Sequence, residues 1–182
     1  EDCVASIKRW AAKDSTGQKL MTFVDGLEVK DAKTFAMKLK SPTGLVLLGL
    51  GKPSSNVPFM MPKRVADTDP NSQISDFTGS GPFIFKRDEW KPGDKTVYVK
   101  NANYKPRSEP ASGLAGGKVV KVDRVEWRAI SDHQQAVNAL LAGEIDFIEA
   151  PPHDLLPLGL GDANVKYFAW NPWGNQYTFR PN

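Results

Sequence analysis

The 182-residue sequence is poor in the residues that form covalent cross-links and metal sites. It contains one cysteine, Cys3, which excludes an internal disulfide and any site that needs several cysteine ligands. The two histidines, His133 and His153, are twenty positions apart. A spacing of three or four would be needed to place two ligands on one helical face. We therefore predict no metal site and no cofactor.

Long apolar runs and an excess of one charge are also missing. The longest apolar stretch, Leu45–Leu50, has six residues, whereas a membrane-spanning helix needs about 20. The 24 lysines and arginines exceed the 21 acidic residues by only three, and both signs are spread along the chain. Such a weak positive charge does not predict a nucleic-acid partner.

The glycine clusters do not have the form of a phosphate-binding loop. Neither 79–81 nor 115–118 carries the Gly-Lys-Ser/Thr ending, and both lead into strand patterns and not into helices. We interpret both clusters as turns.

What is present is a globular composition, with 40% hydrophobic and 25% charged residues. From Val4, apolar residues recur every three or four positions, which predicts a helix that ends near Asp14, with Gly17 as its C-terminal cap. Residues 18–24 are compatible with another short helix. The other predictions for this part are a hairpin (27–29 and 35–39), a buried uncharged stretch that is helix or loop (44–50) and a helical turn (62–66).

The pattern changes at residue 79, so we predict a small α/β subdomain over 1–78 and a second part over 79–182. Lys91–Asp94 predicts a type II turn, and Asp132 and Gly143 predict the two ends of a helix. Strands on both sides of that helix would form a βαβ unit in a partly parallel sheet. The predicted strands of the second part begin near Phe83 and cover 96–104, 119–130, 145–148, 165–170 and 176–179. The fold class is therefore mixed α/β.

Aromatic residues are concentrated near the C-terminal end. Tyr167, Phe168, Trp170, Trp173 and Tyr177 fall within eleven residues, together with Asn and Gly side chains. Core packing explains part of this concentration. An aromatic and amide-rich segment also suits one wall of a small-molecule or peptide cleft, where glycine allows close approach.

Two carboxylates, Glu144 and Asp146, could form a catalytic acid/base pair, because residues i and i+2 of a strand point to the same side. We favour a turn in which this segment satisfies backbone amides between a helix and a strand. Cys3 has no orienting acid or oxyanion hole near it in the sequence, so a nucleophilic role is not supported.

Several short motifs occur together in a fixed order across nearly the whole chain. The chain resembles the family-5 extracellular solute-binding proteins of ABC importers, the dipeptide-, oligopeptide- and nickel-binding type. The segments that carry the resemblance are Glu1–Ser6, Asp31–Phe35, Gly79–Phe83, Trp90–Asp94, Asn103-Tyr104, Val122–Val125, Asp132 and Ala139–Asp146.

The resemblance implies a two-lobe periplasmic-binding-protein-like fold, of which this chain would be a central piece. Residues 1–78 would be the small subdomain, and 79–182 would be part of the first lobe. It also implies a periplasmic or lipid-anchored receptor without enzymatic activity, which captures a peptide or another small solute between its lobes and delivers it to a membrane permease.

By the same resemblance, the ligand-facing residues are Trp173, Gly174, Asn175 and Tyr177. Two other interpretations stay open: a hydrolase that uses Glu144 or Asp146, and a structural piece that binds nothing on its own. We also expect that the isolated chain associates with itself, because a missing lobe would leave apolar surface uncovered.

Overall fold

The computed structural model describes residues 1–52, 56–113 and 115–169. Its helices are α1 (Asp2–Lys13), α2 (Ser15–Phe23), α3 (Leu45–Leu50), α4 (Lys63–Ala66), α5 (His133–Leu141) and α6 (Leu156–Leu160). Its strands are β1 (Val24–Val29), β2 (Phe35–Leu39), β3 (Phe83–Phe85), β4 (Lys95–Lys100) and β5 (Arg124–Arg128). Short 3-10 turns cover Arg87–Glu89 and His153–Leu155.

The chain divides into two compact units. Unit 1 contains Glu1–Trp90 and Thr96–Glu126, and unit 2 contains Lys91–Lys95 and the described residues from Trp127 onward. This grouping follows spatial neighbours, and the division predicted between residues 78 and 79 stays a prediction.

Helices α1 and α2 form the centre of unit 1. The predicted periodicity of α1 is confirmed, because Val4, Ile7, Trp10 and Ala11 are buried. The prediction that Gly17 caps the C-terminal end of α1 is wrong, because Gly17 lies inside α2. Its missing side chain matters for packing instead, since a Cβ there would approach the Ala11 Cα to 2.7 Å.

The predicted hairpin is confirmed as the antiparallel pair β1–β2, in which Leu27 faces Met37 and Val29 faces Phe35. Leu27 and Met37 pack against a buried cluster formed by Trp10, Ala11, Leu20 and Val24. The hairpin therefore extends the core of α1 and α2.

Helix α3 corrects the prediction that residues 44–50 are buried. Leu45, Val46 and Leu50 pack against the core cluster, but Leu47 is 82% and Leu48 is 68% exposed. A helix turns by about 100° per residue, so one lying on the surface turns only part of its residues inward. A wholly apolar stretch contains no polar position to indicate which face is exposed.

Strands β3, β4 and β5 form a second sheet in that spatial order. β3 and β4 are antiparallel, and Val97 of β4 is fully buried. The predicted type II turn precedes β4: Gly93 has φ 76°, and the Asp94 N–H donates to the Lys91 carbonyl at 3.0 Å.

The predicted βαβ unit is wrong for the described residues. The Lys100 N–H donates to the Asp123 carbonyl, and the Ala129 N–H donates to the Asp94 carbonyl. The residue numbers of the paired positions rise along one strand as they fall along the other, so β4 and β5 run antiparallel. Residues 145–148 and 165–169 form no strand in the described part of the chain. An apolar run forms a strand only where a neighbouring strand pairs with its backbone. The spacing of apolar residues does not reveal whether such a partner exists.

The helix of that segment, α5, is confirmed at both ends. The Asp132 carboxylate accepts the Gln135 N–H at 2.7 Å. At the other end, Gly143 has φ 73° and donates to the Leu140 carbonyl, while the Glu144 N–H donates to the Ala139 carbonyl. This pair of bonds is a Schellman motif, which favours glycine at the left-handed position just after the C-cap, here Gly143.

Candidate functional site

The ligand-facing residues predicted from the resemblance, Trp173, Gly174, Asn175 and Tyr177, lie outside the described residues. Their role stays a prediction. Of the same aromatic segment, Tyr167 and Phe168 are described and exposed, and the Phe168 ring lies 6.4 Å from the Phe147 ring in unit 2.

The structure does not place Glu144 and Asp146 as an acid/base pair on a strand. Both residues are exposed and follow α5 in a turn. The Glu144 backbone completes the end of the helix, which fits the turn interpretation. The geometric basis for the hydrolase hypothesis, two carboxylates on one side of a strand, is therefore absent from this segment.

The other chemically reactive side chains are separate from one another. Cys3 is exposed in the first turn of α1, His133 begins α5 and His153 begins a 3-10 turn. Among the residues that the structure describes, no group of three or more His, Cys, Asp or Glu side chains is arranged to hold a metal ion.

The turn interpretation of the glycines is supported at 115–118. Gly116 has φ 79°, and a Cβ there would approach the Pro110 carbonyl oxygen to 2.0 Å. Close backbone packing, and not a bound phosphate, therefore explains the glycine at this position.

An aromatic cluster fixes the segment before β3 to the sheet. The Phe85 ring lies 5.5 Å from Phe77, 6.0 Å from Trp90 and 5.7 Å from Tyr98, measured between ring centroids. The Arg87 guanidinium lies 5.5 Å from the Phe77 ring and donates to the Ser75 carbonyl. The contacts of Phe85 with Phe77 and Trp90 are edge-to-face, that with Tyr98 is tilted, and that of Arg87 with Phe77 is of the cation–π type. Together they tie the loop to the sheet.

A second polar contact holds β5 beside this cluster. Arg124 donates to Glu89 at 2.6 Å and to Glu126 at 2.5 Å. The Arg124 side chain lowers the pKa of Glu89 below its ordinary value, mainly through the hydrogen bond. Since all three side chains are partly exposed, solvent screens the pair and its role is local positioning.

A groove lies in unit 1, between α1 and the segment 56–70. We call it the α1 groove. It encloses about 260 Å³ and is lined by Ser6, Arg9, Trp10, Lys13, Asp14, Asn56, Val57, Phe59, Met61 and Pro70.

Three hydrogen bonds hold the far wall of the α1 groove against the helix. The Ser6 hydroxyl donates to the Met61 carbonyl at 3.1 Å and accepts the Met61 N–H at 3.0 Å. The Trp10 indole N–H donates to the Asn56 carbonyl at 2.6 Å, and Asn56 has a positive φ of 48°. The wall is therefore fixed by backbone atoms and not only by apolar contact.

Two cations lie on the rim of the α1 groove. Arg9 donates to the carbonyl of Thr68, to its hydroxyl at 3.1 Å and to the Ser72 carbonyl at 3.0 Å. Lys13, one helical turn further on, donates to the Asn71 side-chain oxygen at 2.6 Å. The one sign of this groove in the sequence is the spacing of Arg9 and Lys13, which is common on exposed helices and does not predict a groove.

The carboxylate in the lining, Asp14, is already paired. It accepts Lys52 at 2.8 Å and the Gly17 N–H at 3.0 Å, so it also caps α2. These bonds, the Lys52 bond most of all, lower the pKa of Asp14 below its ordinary value. Asp14 is therefore a charged but compensated part of the wall.

No helix within the described residues is both long and apolar enough to cross a bilayer.

Comparison with known proteins identifies the family. The model of the bacterial extracellular solute-binding proteins, family 5 (middle region), matches residues 1–182. The chain is 45% identical over 183 residues to the probable peptide ABC transporter periplasmic-binding protein y4tO of Sinorhizobium fredii, covering 100% of this chain and 34% of that protein. It is 27% identical over 124 residues to the dipeptide-binding protein DppE of Bacillus subtilis, covering 67% of this chain and 20% of that protein.

Solved structures with the same fold are periplasmic binding proteins. DppA of Helicobacter pylori, in complex with the peptide STSA, has a TM-score of 0.64 at 20% identity and aligns with 89% of this chain and 32% of its own. The binding protein AgaA of A. tumefaciens, in complex with agropinic acid, has a TM-score of 0.60 at 23% identity and aligns with 89% and 30%. These likenesses establish a mixed α/β part of a two-lobe fold.

The chain spans about a third, or less, of the length of these relatives. The family consists of solute-binding proteins of the cell exterior, and its members are binding proteins and not enzymes. A match over all 182 residues decides membership: the chain belongs to the bacterial extracellular solute-binding proteins of family 5.

Proposed function

We propose that this chain is part of the substrate-binding component of a peptide ABC importer. The observation that carries the proposal is the 45% identity, over the whole chain, to a protein described as a probable peptide transporter's periplasmic-binding protein. The DppA structure shows that this fold can hold a peptide, as the AgaA structure shows for agropinic acid, so the sequence relative carries the choice of ligand class.

In this proposal the parent protein performs no covalent chemistry. It encloses a peptide, or another small solute, between two lobes, and the closed form gains stability in proportion to how much better the ligand binds the closed form than the open one. Residues 1–78 are the small subdomain of the first lobe, and 79–182 are part of its main body. Trp173, Gly174, Asn175 and Tyr177 form one wall of the cleft.

The partner of the closed complex is an ABC permease in the membrane, and the parent works in the periplasm or as a lipid-anchored protein outside the membrane. The family's extracellular description and the periplasmic relatives support this location. No nucleic-acid partner is part of the proposal.

Calorimetry with the full-length protein tests the ligand class. We expect saturable binding of di- to tetrapeptides and no binding of the same amino acids as a free mixture. Saturable binding of a non-peptide solute, with no heat from any peptide, would contradict the peptide assignment while leaving the receptor assignment intact.

The hydrolase hypothesis is tested by turnover. A receptor has no activity to lose, so we expect no hydrolysis in esterase, glycosidase and peptidase screens of the full-length protein. Turnover that disappears in Glu144→Gln or Asp146→Asn would reject the receptor proposal.

For the isolated chain, we propose that it binds no peptide by itself and associates with itself through exposed apolar side chains. In the described part of unit 2, Val137 is the one buried apolar residue, while Phe147, Leu160 and Phe168 are exposed. Light scattering over a range of concentrations tests this, and a constant mass of about 20 kDa would contradict it.

A further inference from the structure

The α1 groove combines apolar walls with positive charge that no ion pair neutralises. Trp10, Phe59 and Met61 form one part of the lining, and Arg9 and Lys13 form the other. All of them belong to unit 1, and none belongs to the segment predicted to face the transported ligand.

The charges of Arg9 and Lys13 are not neutralised by ion pairs. Each of the acceptors that they contact is neutral: backbone carbonyls, a hydroxyl and an amide oxygen. Within residues 1–52, 56–113 and 115–169, neither side chain forms an ion pair with a carboxylate. A hydrogen bond to a neutral group orients a cation but leaves its net charge in place.

Two carboxylates bear on these cations. Asp14 is held by Lys52 and by the Gly17 N–H. Asp69 accepts the Asn71 backbone and side-chain N–H groups at 2.9 and 3.1 Å, which are neutral, so its negative charge remains and partly offsets that of Arg9. Lys13 is therefore the main source of uncompensated positive charge in the groove. An incoming anion would therefore meet the open side of Lys13 rather than displace an existing ion pair.

The size and rigidity of the α1 groove suit a small molecule. About 260 Å³ lies slightly below the usual range of ligand cavities and holds a body of roughly ten heavy atoms. The Ser6–Met61 and Trp10–Asn56 bonds fix the walls, and the exposed Phe59 ring offers an apolar face at the mouth.

We propose that the α1 groove is a second binding site, separate from the transport cleft, for a small carboxylate that carries an apolar or aromatic body. The carboxylate pairs with Lys13, Arg9 supports it electrostatically, and the apolar body lies against Trp10, Phe59 and Met61. The site is contained in unit 1, so its test does not depend on the transported substrate.

The test uses the full-length protein and the probe 3-phenylpropanoate, with 3-phenylpropanamide as the uncharged analogue of the same shape. The readout is the indole N–H resonance of Trp10 in ¹H–¹⁵N spectra, since this group donates into the groove wall. Trp10→Phe assigns the resonance. We expect saturable shifts with a Kd of about 10 mM or lower for the acid, and binding of the amide weaker by about two- to fivefold.

The matched variants are Lys13→Gln and Lys8→Gln. Both lysines are exposed on α1, but only Lys13 lines the groove. We expect Lys13→Gln to reduce the affinity for the acid to that for the amide and Lys8→Gln to leave it unchanged. Equal binding of acid and amide, equal effects of the two variants, or no shift at 50 mM probe, about five times the expected Kd, would overturn the proposal. Unchanged dispersion of the remaining resonances shows that each variant is folded.

Discussion

The ammonium group of Lys52 lies 2.8 Å from the carboxylate of Asp14, although the two residues are 38 positions apart. The same carboxylate accepts the Gly17 N–H and caps α2. One side chain therefore fixes both the start of α2 and the position of Lys52, just after α3.

Replacing Asp14 separates these two roles. Asn is a good N-cap without charge, so Asp14→Asn removes the ion pair alone, whereas Asp14→Ala removes the cap as well. We expect both to lower the Tm, with Asp14→Ala lower than Asp14→Asn by about 3–6 °C. Calorimetric melting of the three proteins measures this, and equal values for the two variants would show that the cap contributes nothing.

Gly17→Ala tests the close approach of α1 and α2. A Cβ at this position would lie 2.7 Å from the Ala11 Cα and 3.1 Å from the Trp10 ring, so the helices must move apart. We expect a loss of about 1–3 kcal/mol in the free energy of unfolding. Gly26→Ala is the control, since its Cβ would meet nothing within 4 Å. Urea titration that finds the two variants equally stable would contradict the packing argument.

Leu20→Ala tests where the core of unit 1 lies. Leu20 is fully buried in the Trp10 cluster, so truncation leaves a cavity and costs about 2–5 kcal/mol. Leu47→Ala removes the same atoms from a side chain that is 82% exposed, and we expect a change within about 0.5 kcal/mol. A large loss in Leu47→Ala would mean that α3 is covered by another surface in solution.

Acid should remove the contribution of Glu28. Hydrogen bonds from Lys30 and then Lys38 lower the pKa of Glu28 from 4.5 to about 2. Because the pKa in the folded state lies below that in the unfolded state, the stabilisation is present above about pH 5 and is lost as the pH falls from 4.5 to 2. We expect the Tm difference between wild type and Glu28→Gln to shrink over that interval. A difference that stays constant with pH would exclude the ion pairs as its source.

Trp173→Ala in the full-length protein tests the predicted cleft wall. We expect the dissociation constant for peptide to rise by more than tenfold, since an aromatic side chain that a bound ligand covers contributes strongly to binding. Trp127→Ala is a control on an exposed tryptophan of the described structure. Calorimetry with an unchanged constant in Trp173→Ala would remove this residue from the site.

The sequence predicted those elements whose evidence is local. The apolar spacing of Val4, Ile7 and Trp10 identifies α1, and Asp132 and Gly143 identify the ends of α5. The orientation of α3 was not predictable, because Leu47 and Leu48 do not differ in polarity from their buried neighbours. The prediction of a strand at 145–148 was wrong, because strand pairing depends on a partner that is distant in the chain.

The α1 groove could not be predicted for a similar reason. The Trp10 indole N–H donates to the carbonyl of Asn56, which is 46 positions further along the chain. Every residue has a backbone carbonyl, so the residue types give no sign of which one accepts this bond. The predicted wall at Trp173 and Tyr177 comes from the family resemblance, and the concentration of aromatic residues there is equally compatible with a core.

Cys3 is the sole thiol of the sequence, it is exposed, and it lies on the helix that forms one side of the α1 groove. A maleimide dye attached there would sit about one helical turn from Ser6. The native chain thus permits single-site fluorescent labelling next to the proposed second site, without introducing or removing any residue.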